Sequence, residues 1–324
     1  MTPERVAILW GGGLGDLLVM RPVLEAVCRP GWPAPLYLTR SIAETDPLKA
    51  MGLPVERLLL PPGPREALAL VRGAGHFDRV YSGPHNRWRT RMLARTVDAE
   101  RHGPVHPRGD CRFLADVIAA DVVAMGWMEH PPPVYGSRPL FPLPLPEGPV
   151  GAELPRGPYL VIHPGSKSRW ETTRWPMDRW SLLLRQLAHA GWHLWLVGGR
   201  DEHEVLQQLA ASVSAAPQVA VHTDWPLWQL ERAVASARGV LCHNSGIMHL
   251  ALAYERPTIV LTGSSAPYWR ASYAWVRNLT SGECQLACNR YRCPVPGFHA
   301  KCIRHLEIGR VLAAAHELWG PSPG

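Results

Sequence analysis

Apolar residues run unbroken from Val6 to Trp10 and stop at Gly11-Gly12-Gly13, the pattern of a strand buried on both faces. From Leu14 to Val27 the apolar positions fall at helical spacing, with Pro22 placed to kink the helix. Apolar runs at Pro35–Thr39, Arg57–Leu60 and Asp78–Ser82 predict further strands. Helical spacing returns over Pro64–Arg72, Trp88–Val97 and Arg112–Gly126. The second half repeats this logic. Strands are expected at Tyr159–His163, His193–Val197, Gln218–His222, Gly239–Cys242 and Thr258–Leu261, and helices near Met177–Ala190, Asp201–Ser212, Leu227–Ser236, Ile247–Tyr254 and Glu307–Trp319. Strand, turn and helix in alternation predict an α/β chain whose parallel sheets are covered on both faces. Two such doubly wound domains place a ligand cleft at the carboxyl ends of the strands.

The periodicity breaks once. Between Pro131 and Pro158 ten of 28 residues are proline. A segment of this kind is an extended, semi-rigid linker. The expected organisation is an N-terminal domain over 1–140, a linker over 141–158 and a C-terminal domain over 159–304. A last helix over 305–324 is expected to pack back on the N-terminal domain.

Composition is that of a globular protein with a substantial core: 46% hydrophobic and 19% charged residues in 324. The net charge of +7 is carried almost wholly by arginine, since Lys49, Lys167 and Lys301 are the only lysines. A basic balance favours anionic partners, and a GC-rich genome would produce the same arginine bias. No long Lys/Arg run exists, which argues against a nucleic-acid partner. The five apolar residues Val6–Trp10 are too few for a signal-peptide core, and no stretch approaches about 18 apolar residues. A cytoplasmic protein is expected, at most peripheral to a membrane face, with cysteines that do not default to disulfides.

Three motifs carry chemistry. Gly11-Gly12-Gly13-Leu14-Gly15-Asp16 lies between a strand and a helix. A dinucleotide fingerprint would need glycine where Asp16 stands, and a carboxylate there repels pyrophosphate, so dehydrogenase chemistry is excluded. Asp16 is either an acid suited to its helix dipole or a general base at a cleft floor. His163-Pro164-Gly165-Ser166-Lys167-Ser168-Arg169, closed by Thr173-Arg174-Trp175-Pro176, offers hydroxyls, backbone N–H groups and the cations Lys167, Arg169 and Arg174 to phosphate oxygens. By itself His163 reads as a strand-end packing residue. Cys242-His243-Asn244-Ser245-Gly246-Ile247-Met248-His249 runs a buried strand into a helix whose first turn suits a diphosphate, and Thr262-Gly263-Ser264-Ser265 adds a second donor-rich turn.

The order of Gly-Leu-Gly-Asp, His-Pro-Gly-Ser, Arg-Trp-Pro and Asn-Ser-Gly-x-x-His resembles glycosyltransferase family 9, the ADP-heptose:lipopolysaccharide heptosyltransferases. The resemblance spans nearly the whole chain. It implies the GT-B arrangement, two Rossmann-like domains facing a central cleft. It implies an inverting, metal-independent transfer of a heptose-like sugar, with ADP-heptose among the donors, onto an anionic glycolipid or envelope glycan acceptor. No cofactor is expected beyond the nucleotide-diphosphate sugar substrate. By that resemblance Asp16 is the catalytic base, and Ser166, Ser245, Gly246 and His249 stand near the donor diphosphate and ribose, with Lys167, Arg174 and Asn244 beside them. Two departures stand out. The family's lysine two residues before Trp-Pro is Thr173 here, and its Asp-Thr-Gly reads Asn244-Ser245-Gly246. They motivate a rival reading, a degenerate nucleotide-sugar-binding protein without catalysis. A sugar-nucleotide epimerase of the same architecture is a third, and the placement of Gly-Leu-Gly-Asp argues against it.

Other clusters are less specific. Gly13, Arg87, Arg89 and Arg91 are candidates for an acceptor's phosphates, against an ordinary solvated surface. Trp170, Trp175 and Trp225 stand near the proposed loops and could stack on sugar or base. Cys284, Cys288, Cys293 and Cys302, spaced C-x3-C-x4-C-x8-C, fit a tetrahedral zinc site, disulfides or free buried thiols. A cysteine-rich loop of this shape also belongs to the family's second-heptose enzymes.

Overall fold

A computed structural model describes residues 3–9, 13–33, 36–39, 54–59, 63–82, 99–102, 112–131, 157–165, 171–213, 218–284, 288, 290 and 292–321. The chain divides into two compact units, Met1–Pro142 and Leu143–Gly324. Most of the proline-rich segment lies outside the described residues.

In the first unit β1 (Val6–Leu9) leads through the glycine turn into α1 (Leu14–Val19) and α2 (Arg21–Val27). There follow β2 (Leu36–Thr39), β3 (Glu56–Leu59), α3 (Pro64–Gly73), β4 (Arg79–Ser82), β5 (Glu100–His102) and α4 (Leu114–Ala124). Among the described residues the strands form one parallel sheet in the order β3-β2-β1-β4-β5. The chain therefore leaves β1 toward one edge and returns beside it with β4, so the sheet's switch point lies between β1 and β4. The single helix expected over Leu14–Val27 is two. Met20 closes α1 and opens α2, and Pro22 sits in the first turn of α2, where its missing N–H leaves no hydrogen bond unmade. β5 was not legible in the pattern, because Glu100-Arg101-His102 is a polar edge strand. The helix expected over Trp88–Val97 lies outside the described residues.

The second unit is the fuller doubly wound fold. It runs β6 (Tyr159–His163), α5 (Met177–His189), β7 (His193–Gly198), α6 (His203–Ser212), β8 (Val219–Thr223), α7 (Leu227–Ser236), β9 (Gly239–His243), α8 (Gly246–Ala253), β10 (Thr258–Leu261), β11 (Val276–Leu279), α9 (Lys301–Arg304) and α10 (Ile308–Trp319). The sheet order is β11-β10-β9-β6-β7-β8, all parallel. Its switch point lies between β6 and β9. The four strands β6, β7, β9 and β10 are buried almost throughout, as their unbroken apolar runs require. Leu160, Ile162, Leu194, Leu196, Leu241 and Ile259 meet α5, α6 and α10 in one core.

Val311, Ala314, Ala315 and Trp319, the apolar stripe of α10, are buried in the core of the second unit. Trp319 is 1% exposed and donates its indole N–H to the Pro257 carbonyl at 3.2 Å, while Arg238 holds the Trp319 carbonyl through Nε and Nη2 at 2.9 and 2.6 Å. Glycine at 239 makes this seat possible, because a Cβ there would lie 2.1 Å from Trp319 Nε1. Gly239→Ala is therefore expected to destabilise the second unit by about 1–3 kcal/mol through overpacking, read as a lowered urea midpoint. Among the described residues no helix is long and apolar enough to cross a membrane.

Candidate functional site

In an open parallel sheet, ligands bind outside the carboxyl ends of the strands at the switch point. In the second unit those ends are His163, closing β6, and His243, closing β9. Both halves of the phosphate-type motifs therefore meet at one place.

His163 is 8% exposed and bridges two elements. Its Nδ1 lies 3.1 Å from Ser245 Oγ and its Nε2 lies 3.3 Å from Glu202 Oε2. A carboxylate only accepts, so Nε2 carries a proton and Nδ1 faces the serine hydroxyl. Glu202 also accepts from the Gly199 N–H at 3.0 Å. Burial would raise the Glu202 carboxyl, but hydrogen bonding and charge from His163, the Gly199 N–H and the Arg174 guanidinium outweigh it and hold the group below its ordinary value. Gly165 makes room for this carboxylate, since a Cβ there would stand 1.7 Å from Glu202 Oε1. His163 is thus more than a packing residue, and neither Glu202 nor the Ser245–His163–Glu202 chain was foreseen. No spacing rule links Glu202, after β7, to a histidine at the end of β6.

Ser245 is the N-cap residue of α8, with extended backbone (φ −148°, ψ 178°), yet its side chain makes no capping hydrogen bond. The hydroxyl turns to His163 instead. The N–H groups of the first helical turn at Gly246 are left without that capping partner, which suits them to an anion. Asn244 donates through Nδ2 to the Trp269 carbonyl at 3.0 Å. His249, one turn further, is 3% exposed with its ring edge-on to Trp269 at 5.9 Å. Arg174 is exposed, and its charge acts on both Glu202 and His243, so it belongs to the same cluster.

His243 is a second residue that the sequence did not single out. It is fully buried, its Nε2 accepts from the Trp175 N–H at 3.0 Å, and its Nδ1 lies 3.2 Å from the Gly165 carbonyl. One ring thereby ties the loop after β6 to the Arg174-Trp175-Pro176 segment. Trp175 is 2% exposed and packs edge-on against Trp180 at 5.3 Å, which corrects the expectation that it stacks on a ligand. The turn Thr262–Ser265 is likewise corrected. It is buried, and Ser264 gives its N–H and its hydroxyl to Thr172 at 3.3 and 2.8 Å, so these donors face the protein. Thr173, in the place of the family's lysine, is 6% exposed. Trp225 stacks on His222 at 4.1 Å.

In the first unit Asp16 occupies the third position of α1, beyond the carboxyl end of β1, and is 7% exposed. Its Oδ2 accepts from the Gly13 N–H at 2.5 Å, so Gly13's donor is committed to the helix start and not to an acceptor. Ser166, Lys167, Arg169, Trp170, Arg87, Arg89 and Arg91 lie outside the described residues. The described cysteines are free thiols.

Two doubly wound parallel sheets in one chain, with phosphate-type loops at a switch point, define the GT-B class of α/β protein. Comparison with known proteins narrows this. Residues 150–299 match glycosyltransferase family 9 (heptosyltransferase). Lipopolysaccharide heptosyltransferase 2 of Salmonella typhimurium is 32% identical over 97 residues, 29% of this chain and 28% of that protein. Lipopolysaccharide heptosyltransferase 1 of Pseudomonas aeruginosa is 29% identical over 202 residues, 57% of this chain and 53% of that protein. The matches thus span about half the length of these curated relatives or less. An Escherichia coli heptosyltransferase, WaaC, solved with ADP, shares the fold with a TM-score of 0.64 at 19% identity, covering 97% of this chain and 99% of that one. The second half of the chain is thus similar to glycosyltransferase family 9, and the whole chain shares its fold with solved heptosyltransferases.

Proposed function

We propose that this protein transfers a heptose-like sugar from a nucleotide-diphosphate donor to a lipopolysaccharide-like or other envelope glycan acceptor, with inversion and without a metal at the reacting centre. The observation that carries the reading is the β6–β9 switch point, where Ser245, the first turn of α8 and Arg174 converge on His163 and Glu202. The leaving diphosphate would be held there by N–H dipoles, a hydroxyl and a cation placed before reaction begins, which is how preorganised electrostatics lower a barrier. ADP is the first donor nucleotide to test, because the WaaC neighbour was solved with it. Asp16 is the proposed base that takes the acceptor hydroxyl's proton as that oxygen attacks the anomeric carbon. The sequence contains no Asp-x-Asp pair of the type that would hold a divalent cation on the diphosphate. The basic balance suits an anionic acceptor at a membrane face, with the protein itself in the cytoplasm.

His163 and Glu202 act as positioning residues. Isothermal titration of ADP, and transfer from ADP-heptose to a heptose-deficient lipopolysaccharide core, test this. Ser245→Ala is expected to weaken ADP by roughly 10–100-fold, the value of one hydrogen bond to a charged group. Glu202→Gln, and Gly165→Ala, whose methyl would displace the Glu202 carboxylate, should each weaken ADP less than Ser245→Ala and add nothing when combined with it. ADP affinity unchanged in Ser245→Ala would sink the assignment of this switch point.

The second reading, a nucleotide-sugar binder without transfer, is favoured by one observation: the family's lysine position holds Thr173, a buried and uncharged side chain. Under the catalytic reading Arg174 supplies the missing charge. Nucleotide binding with no turnover on any envelope acceptor would decide for the binder.

A further inference from the structure

Between β11 and α9, from Thr280 to Ala300, the described residues form no helix or strand. Long connections without their own ladder are uncommon in compact domains and need something else to hold them. Cys284, Cys288 and Cys293 lie in this connection and Cys302 lies in α9. All four line one cavity, walled by Thr172 and Phe298. Its volume of about 10 Å³ admits roughly one water-sized sphere, too little for an organic ligand and enough for one ion. None of the four cysteines is in a disulfide. His299 is exposed, in left-handed backbone (φ 48°), and does not line the cavity.

We infer that Cys284, Cys288, Cys293 and Cys302 hold one tetrahedral metal ion, zinc or iron, that fastens this connection to the second unit. Four thiolates around one small space are the donor set that selects these two metals over oxygen-loving cations. Among the described residues no three such side chains already stand at ligating distance. Each cysteine has only the χ1 rotor to turn, and all four already line the same cavity, so ligation requires their sulfurs to turn into it. On binding, the thiols release their protons to solvent and bond the ion through sulfur.

The site is structural and its attachment points are visible. The Cys302 carbonyl accepts from Ser281 N–H at 2.9 Å and from Thr280 Oγ1 at 2.8 Å. The Thr172 hydroxyl donates to the Arg290 carbonyl, within the cysteine segment, and accepts from Ser264. Thr172 belongs to the short 3-10 turn Glu171–Thr173 that leads into Arg174. The ion would therefore brace, from behind, the segment that brings Arg174 to the nucleotide site.

The test begins with the whole protein purified under reducing conditions. Its zinc and iron content is measured by mass spectrometry, and the chelated protein is then titrated with Zn(II), Fe(II) and Co(II). About one equivalent of zinc or iron is expected, or about one equivalent taken up, with the visible bands of a tetrahedral cobalt–thiolate and protection of four thiols from a thiol reagent. Cys288→Ser/Cys293→Ser should fall below about a tenth of an equivalent, with a lowered melting temperature and a circular dichroism spectrum that reports whether it folds. The wild-type stoichiometry stands whether or not that variant folds. No stoichiometric metal on wild type, disulfides among the four cysteines, or metal retained in a folded double variant would each overturn the site.

Discussion

Asp16→Asn should lower transfer turnover by about 10²–10⁴-fold while leaving ADP affinity within a few-fold of wild type. Asparagine is the informative replacement because of what the carboxylate does in its own unit. Its oxygen accepts from the Gly13 N–H and so organises the start of α1. An amide oxygen accepts the same bond, which leaves the turn in place and removes only the negative charge and the basicity. Asp16→Ala loses the cap as well, at a cost of about 1 kcal/mol that a melting curve separates from the chemical effect. The two roles of Asp16 then predict different patterns. A base gives two inactive variants, of which only the alanine form is less stable. A cap alone gives an asparagine variant as active as wild type, and that result would remove Asp16 from the mechanism. Turnover measured with saturating donor and varied acceptor distinguishes these, because a residue acting only in the transition state lowers kcat without raising KM.

What the sequence made legible is what repeats with a period or sits at a fixed offset from a turn. The buried parallel strands β6, β9 and β10 announced themselves as unbroken apolar runs, and the helices facing them as regular stripes. Polar or mixed edge strands such as Glu100–His102 and Val276–Leu279 carried no such signal. The site was legible to the extent that its parts are contiguous: Asn244-Ser245-Gly246 after one strand and Arg174 before one helix. The parts that organise it were not. Glu202 reaches Gly165 and His163 from a different βα connection, and His243 reads in sequence as one more residue at the end of a hydrophobic strand. Only the return of β9 beside β6 brings His243 against Gly165 and Trp175. Trp175 and Ser264 failed in the opposite direction. Their types suggested ligand contacts, but the same tertiary packing consumed them as core and as internal hydrogen bonds. An apolar stripe such as that of α10 likewise specifies that a helix is buried without naming its partner.

Acid should unfold the second unit through His243, and substituting that one residue should remove much of the pH dependence. The ring is neutral and its tautomer is set by its partners: Nε2 accepts from the Trp175 N–H, so the proton stands on Nδ1, facing the Gly165 carbonyl. A second proton would break the Trp175 bond and place a charge edge-on to Trp180, 5.5 Å away, with no acceptor for it. Burial above all, and the nearby His163 and Arg174, push the His243 pKa down from 6.5 to about 3, while the Gly165 and Pro164 backbone opposes this. Between those two values the unfolded chain binds a proton that the folded chain refuses. Stability from this group is therefore complete above about pH 6.5 and drains as pH falls toward about 3, at up to about 1.4 kcal/mol per pH unit. The full loss is on the order of several kcal/mol, a large part of a typical domain's stability. Half-buried His222, also lowered by burial, adds a background of the same sign, whereas Glu202 holds its contribution until pH falls below its ordinary value of 4.5. Denaturant unfolding of wild type and His243→Gln from pH 7.5 to pH 5, followed by tryptophan fluorescence, isolates the effect. The variant should be less stable at pH 7.5 by about 1–3 kcal/mol, from its disturbed hydrogen bonds, yet lose little more on acidification. Wild type should converge on it as pH falls. Parallel curves would mean that His243 titrates freely in the folded state. Because that ring joins the loop after β6 to the segment carrying Arg174 and stays neutral for as long as the unit is folded, ADP binding should be lost together with the fold and not ahead of it.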